Sequence, residues 1–118
     1  MTDSLEGEIR ELEAALGSAR DPDRRAFVSL ADALRRAGDL ERALQVVREG
    51  LAAHPDLASA RVVEAWILEA QGDDGAAREA WYAVLDLDAG NRFALAALAR
   101  GALADGDTAR ARELIEAL

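Results

Sequence analysis

A two-residue Gly-Asp junction recurs in this chain at a constant spacing of 34 residues, as Gly38-Asp39, Gly72-Asp73 and Gly106-Asp107. Glycine can end a helix in the left-handed conformation without a Cβ clash, and aspartate can accept hydrogen bonds from the free N–H groups that begin the next helix. A junction this short forces the two helices that it joins into an antiparallel hairpin. The spacing therefore predicts three copies of one helix-turn-helix unit.

Small residues recur with the same period inside the units. Alanine occupies one matching position in the first helix of each unit and another in the second helix, namely Ala31, Ala65, Ala99 and Ala43, Ala77, Ala111. Alanine at a contact point lets two helix axes approach closely while larger neighbours fill the space around them. In the first unit, the i, i+3, i+4, i+7 spacing predicts a buried face formed by Phe27, Leu30, Ala31 and Leu34.

Caps and prolines predict the remaining helix ends. Asp21-Pro22 is typical of a cap followed by proline in the first helical turn. The second helix of the first unit is expected from Leu40 to about Ala53, because Pro55 disfavours helical geometry in the residue before it. Asp56 is predicted to cap the helix that follows, and Asn91 the first helix of the third unit.

A helix-turn-helix period of 34 residues is the signature of the tetratricopeptide repeat, and the chain resembles that family over residues 24–118. The matching positions of the first copy are Leu30-Ala31, Gly38-Asp39, Ala43, Gly50-Leu51 and Pro55. Those of the middle copy are Ala65, Leu68, Gly72-Asp73, Ala77 and Leu85, and those of the third are Leu98-Ala99, Gly106-Asp107, Ala111 and Ala117-Leu118. The resemblance implies an all-α, right-handed superhelical solenoid of antiparallel helix-turn-helix repeats, with about seven helices in this chain.

The domain organisation follows from the repeat register. We expect residues 1–22 to form an N-terminal capping helix and turn, and residues 23–118 to hold three repeats at 24–57, 58–91 and 92–118, the last one truncated. An apolar stripe at helical spacing (Leu5, Ile9, Leu12 and Leu16) lies where the second helix of an earlier repeat would lie. A short coiled-coil segment is the alternative, although two heptads are too few to hold one alone.

Composition excludes several classes of function. The chain has 23 acidic and 14 basic residues, a net charge of −9, and this field repels nucleic acid and anionic membranes. It has no cysteine, no glycine-rich phosphate loop and no metalloprotease or calcium-loop motif, and its only histidine, His54, precedes a proline. We therefore expect no enzyme, catalytic residue, cofactor or metal. The first residues lack the basic start and apolar run of a signal peptide, so we expect a cytoplasmic protein.

Family resemblance implies that partners bind a concave groove lined by the first helix of each pair. The side of these helices that is not used for packing within the pair contains Arg25, Val28, Asp32, Arg35, Arg36, then Ser59, Val62, Trp66, Glu69, Ala70, then Phe93, Ala96, Arg100, Leu103. Its charged side chains sum to +2. An apolar floor with an arginine rim predicts a protein partner that presents an amphipathic, acidic helix or an extended peptide. The alternative is that Trp66 and Phe93 pack between neighbouring helices.

Glu64 is the irregular residue of the predicted core, since Leu30 and Leu98 occupy its position in the other copies. A buried, unpaired carboxylate costs several kcal/mol, so we expect Glu64 to pair with Arg61, one turn earlier. The alternative is a rotated helix that directs Trp66 partly into packing.

The last helix is expected to leave an apolar edge without cover, drawn from Leu103, Leu114, Ile115 and Leu118. That edge favours a second interpretation of the chain, as a structural unit that forms homodimers or as a fragment of a larger scaffold.

Overall fold

The computed structural model describes the backbone of residues 2–118 and the side chains of residues 4–118. Over residues 2–118 the chain forms seven α-helices and no strand: α1 (Thr2–Ala15), α2 (Ala26–Arg36), α3 (Leu40–Ala53), α4 (Ala58–Ala70), α5 (Asp74–Leu87), α6 (Arg92–Ala104) and α7 (Thr108–Glu116). The predicted all-α helical-repeat solenoid is confirmed. The helices form an elongated body of 48 × 28 × 20 Å. Met1, which belongs to the expected capping segment, lies outside the described residues.

The three Gly-Asp junctions have one common geometry. Gly38, Gly72 and Gly106 have φ values of 85°, 78° and 77°. At the first junction, the Gly38 N–H donates to the Arg35 carbonyl at 3.0 Å, and the Asp39 N–H donates to the Leu34 carbonyl at 2.9 Å. These two bonds are those of the Schellman motif, which ends helices in many proteins. Each aspartate therefore closes one helix and begins the next.

The caps differ from one junction to another. The predicted side-chain caps are present at Asp73, which accepts from Ala76 N at 3.2 Å, and at Asp107, which accepts from Arg110 N at 3.0 Å. Asp39 occupies the N-cap position of α3 without a side-chain hydrogen bond. The cap predicted at Asp56 is wrong, because α4 begins one residue later, with Leu57 at its N-cap.

Asp21 has a different role from the predicted helix cap. Helix α2 begins at Ala26, and the residues that follow Pro22 form a turn. The Asp21 carboxylate accepts from Gly17 N and from Ala26 N, both at 3.0 Å, and so connects the end of α1 to the start of α2. These backbone donors, chiefly the Gly17 N–H, lower the pKa of Asp21 below its ordinary value.

The core consists of two clusters that meet at α4. The first core cluster includes the predicted α2 residues Phe27, Leu30, Ala31 and Leu34, all of which are buried, together with residues of α3. The second core cluster contains residues of α4 to α7. Helix α4 contributes Val63 and Ile67 to the first cluster and Val62 and Leu68 to the second. It is therefore buried on two sides.

Helix α1 packs against the first core cluster through Ile9 and Leu12, which are half-buried. Leu16, the last residue of the predicted stripe, is 45% exposed. Two ion pairs add to these contacts: Glu8 with Arg36 at 2.8 Å and Glu13 with Arg42 at 2.6 Å. We propose on this basis that residues 1–22 cap the stack. We also propose that the three repeats span residues 24–57, 58–91 and 92–118.

The chain provides a matched pair of helical glycines for a stability test. A Cβ at Gly50 would overlap the ring of Phe27, whereas a Cβ at Gly101 meets no atom within 4 Å. We expect Gly50→Ala to lower the free energy of unfolding by about 1–3 kcal/mol through overpacking. Gly101→Ala is expected to raise it by about 0.5–1 kcal/mol, because alanine loses less backbone entropy in a helix. Urea denaturation followed by circular dichroism measures both, and equal effects would contradict the packing of α3 on Phe27.

Candidate functional site

A cleft of about 480 Å³ opens between α2, α4 and the turn from α5 to α6. We call it the Trp66 cleft, and its apolar lining is Val28, Ala58, Val62, Val63, Trp66 and Phe93. Val62 and Val63 are almost fully buried and form the floor, whereas Phe93 is 57% exposed and forms part of the wall. The structure therefore brings together the predicted groove residues Val28, Asp32, Val62, Trp66 and Phe93.

Trp66 both lines this cleft and packs in the core. Its ring meets that of Phe93 edge to face with centroids 5.2 Å apart, and that of Trp81 in the same manner at 6.4 Å. The guanidinium carbon of Arg35 lies 5.1 Å from the ring centroid, within range of a cation–π contact. The side chain is half-buried and touches both core clusters. Trp66 therefore packs between helices, as one alternative predicted, and part of its side chain also forms the surface of the cleft.

Two of the four predicted rim arginines, Arg35 and Arg36, are paired within the chain. Arg35 binds Asp32 at 2.7 Å. Arg36 binds Glu8 of α1 at 2.8 Å and Asp32 at 3.3 Å. Hydrogen bonding to Glu8 raises the pKa of Arg36 above its ordinary value. These two guanidinium groups thus have intramolecular carboxylate partners, and they provide no excess positive charge at the cleft.

The other predicted groove residues lie outside the Trp66 cleft. Arg25 lines a separate pocket at the turn between α3 and α4. Glu69 and Arg100 line another cleft, of about 270 Å³, with residues of α5 and α6. Ala96 lines a neighbouring pocket of about 730 Å³, which shares Asp88, Asn91 and Phe93 with the Trp66 cleft and also includes Leu118. Leu103 is 54% exposed and does not line the Trp66 cleft. None of the four predicted rim arginines belongs to the lining of the Trp66 cleft.

Part of the polar lining of the cleft was not predicted from the sequence. Asp88, Asn91 and Ser29 line the cleft along with the predicted residues. The Asn91 side chain caps α6, as predicted, by accepting from Ala94 N at 3.0 Å, and it also donates to Asp88 at 3.3 Å. The sequence feature that could have identified Asp88 and Asn91 is their position in the turn between α5 and α6, which lies next to the first turns of α4 and α6.

Glu64 is 7% exposed, and its carboxylate lies between two arginines. The predicted bond with Arg61 is confirmed at 3.3 Å, and a second bond reaches Arg48 of α3 at 3.4 Å. Arg48 could not be predicted from helical spacing, because it belongs to the preceding repeat. The three side chains connect α3 to α4 and so join the first repeat to the second.

One residue of the predicted exposed C-terminal edge, Leu114, is buried. Leu114 is 4% exposed and belongs to the second core cluster, because it lies on the side of α7 that packs against α6 with Ala111. Its assignment to an exposed edge is therefore wrong. Ile115 and Leu118 are 49% and 55% exposed, as expected.

Over the part of the chain that the structure describes, no helix is long and apolar enough to cross a membrane. The same residues include no group of three or more histidine, aspartate or glutamate side chains that could hold a metal ion.

Comparison with protein families identifies the repeat. A family model described as tetratricopeptide repeat matches residues 9–58 and 29–92. The matched residues run from within α1 to the start of α6 and include most of the lining of the Trp66 cleft. No curated protein matches the chain.

The ion pairs of Glu64 can be tested against the leucine found in the other copies. We expect Glu64→Leu to leave the free energy of unfolding within about 1 kcal/mol of the wild-type value or to raise it, because apolar replacement of buried ion pairs is often neutral. Glu64→Ala is expected to be less stable than Glu64→Leu by about 2–5 kcal/mol, because it leaves a cavity. Urea denaturation measures the free energy of unfolding of both variants. If both lose the same stability, the ion pairs of Glu64, and not the volume of its side chain, hold α3 to α4.

Proposed function

The chain belongs to the tetratricopeptide-repeat family, and from this membership we propose that it is a non-catalytic protein-interaction module that binds a peptide or helix in the Trp66 cleft. Repeats of this family generally mediate protein–protein interaction, and the family is typically non-enzymatic. Display of a preformed surface is sufficient for this role, and it requires neither a reaction nor a cofactor.

The main support is the aromatic pair at the edge of an apolar floor. Trp66 and Phe93 meet at 5.2 Å above buried valines, so an apolar side chain of a partner could insert beside both rings. Phe93 is 57% exposed, and full burial of such a side chain contributes about 1.5–3 kcal/mol. Because Trp66 is fixed by Trp81 and Arg35, little side-chain entropy is lost on binding.

Phe93→Ala is the cleanest test, because Phe93 is exposed whereas Trp66 is part of the core. We expect the immobilised variant to lose proteins that the wild type captures from an extract of the native cell, while its helical content stays unchanged. Tyr82→Ala is the matched control, since Tyr82 is an exposed aromatic residue of α5 outside the cleft. Quantitative mass spectrometry of the captured proteins measures the effect. If Phe93→Ala retains the same proteins as the wild type, the cleft is not the binding site.

A second candidate function is self-association through the C-terminal edge, or assembly into a larger scaffold through it. It is favoured by the exposure of Ile115 and Leu118, at 49% and 55%. Under this proposal two copies cover each other's edges in a symmetric dimer.

Sedimentation of the purified chain tests the second candidate. We expect a dimer that Ile115→Glu converts into a monomer, because a charge in the interface would be desolvated. Leu87→Glu, at a 40% exposed position of α5, is the control and should leave the dimer intact. A wild-type monomer whose mass is independent of concentration contradicts self-association. Leu114→Glu is unsuitable, since it would place a charge in the core.

A further inference from the structure

The ionisable side chains that line the Trp66 cleft are both acidic. They are Asp32 and Asp88, and the remaining polar lining consists of Ser29, Ser59 and Asn91. No lysine, arginine or histidine belongs to the lining of this cleft. A bound segment therefore meets carboxylates, hydroxyls and an amide around an apolar floor.

The two carboxylates differ in how they are neutralised. Asp32 binds both Arg35 and Arg36, at 2.7 Å and 3.3 Å. Asp88 is exposed and accepts a hydrogen bond from the Asn91 amide at 3.3 Å, and it makes no ion pair with any side chain of residues 4–118. Because Arg36 is in turn neutralised by Glu8, the charge left at the cleft is that of Asp88.

Two other sources of charge near the Trp66 cleft do not change the negative sign of the charge on its lining. Helices α4 and α6 begin beside the cleft and α5 ends there, so a positive partial charge of about half a unit remains, which is smaller than the full negative charge of Asp88. Arg92 of α6 does not line the Trp66 cleft, but it lines a neighbouring pocket to which Asp88 and Phe93 also contribute. Among the residues that line the Trp66 cleft, the charge without an ion-pair partner is therefore that of Asp88, in a chain whose net charge is −9.

We infer that the segment bound in the Trp66 cleft is an amphipathic peptide with an apolar anchor residue flanked by lysine or arginine. The anchor lies against Trp66 and Phe93, and the cationic side chain pairs with Asp88. This inference rests on the proposed function and specifies its ligand. It replaces the acidic partner expected from the sequence, since the arginines behind that expectation are paired or lie elsewhere.

Selection from a library of random 12-residue peptides, displayed on phage, tests the inference without a known partner. The library is first depleted on immobilised Phe93→Ala protein, which has the same net charge as the wild type, so peptides held by overall charge alone are removed. Peptides that then bind the wild type are sequenced. We expect enrichment of an aromatic or aliphatic residue with lysine or arginine beside it.

Charge variants then identify the pairing residue. Asp88→Asn is expected to weaken binding of the selected peptides about two- to five-fold, as for loss of an exposed ion pair. Glu79→Gln removes the same charge from an exposed position of α5 outside the cleft and should change the affinity less than two-fold. Fluorescence anisotropy at physiological salt measures both affinities.

The outcomes separate this inference from the function on which it rests. If selected peptides are acidic or uncharged, or if Asp88→Asn weakens them no more than Glu79→Gln, the basic ligand is wrong while the cleft remains a binding site. If no peptide distinguishes the wild type from Phe93→Ala, the proposed function fails, and the inference fails with it.

Discussion

Close contact between helices at six alanines determines the geometry of this molecule. These residues recur once per helix in α2 to α7, and all are between 0% and 4% exposed: Ala31, Ala43, Ala65, Ala77, Ala99 and Ala111. A larger side chain at any of them would separate two helix axes and remove dispersion contacts from the surrounding leucines and valines. The same close packing sets α2 beside α4, so Val28 and Val62, which are separated by one repeat, line a single cleft.

Helix α4 differs from the other first helices because it lies between the two core clusters, whereas α2 and α6 each contribute buried residues to one. It supplies residues to both core clusters, and Trp66 touches both. The charged positions Arg61 and Glu64 lie on the side that meets α3, where Arg48 completes the ion pairs. Arg61 and Glu64 are therefore located where the first repeat joins the second.

Local pattern predicted most of the fold and about half of the candidate site. The period of the Gly-Asp junction and the helical spacing gave the bounds of α3 and the buried face of α2, because both depend on residues within a few turns. Ion pairs between residues that are far apart in the sequence could not be predicted from local pattern. Arg36 pairs with Glu8, and Arg48 pairs with Glu64. Leu114 and Ile115 were not distinguished, because a rotation of one residue about the helix axis exchanges a buried side for an exposed one.

The attachment of α1 differs in kind from that of the other helices. It follows no Gly-Asp junction, its apolar contacts are half-buried, and its polar contacts with the rest of the chain are made by the carboxylates of Glu8, Glu13 and Asp21. Exposed ion pairs weaken in salt, and carboxylate bonds are lost when the group is protonated, whereas buried alanine contacts respond to neither. We therefore expect the free energy of local opening to rise from α1 towards α4, and the amides of α1 to exchange with solvent before those of α4. On this expectation the cleft lies beside the most stable helix of the array, and not at its N-terminal end.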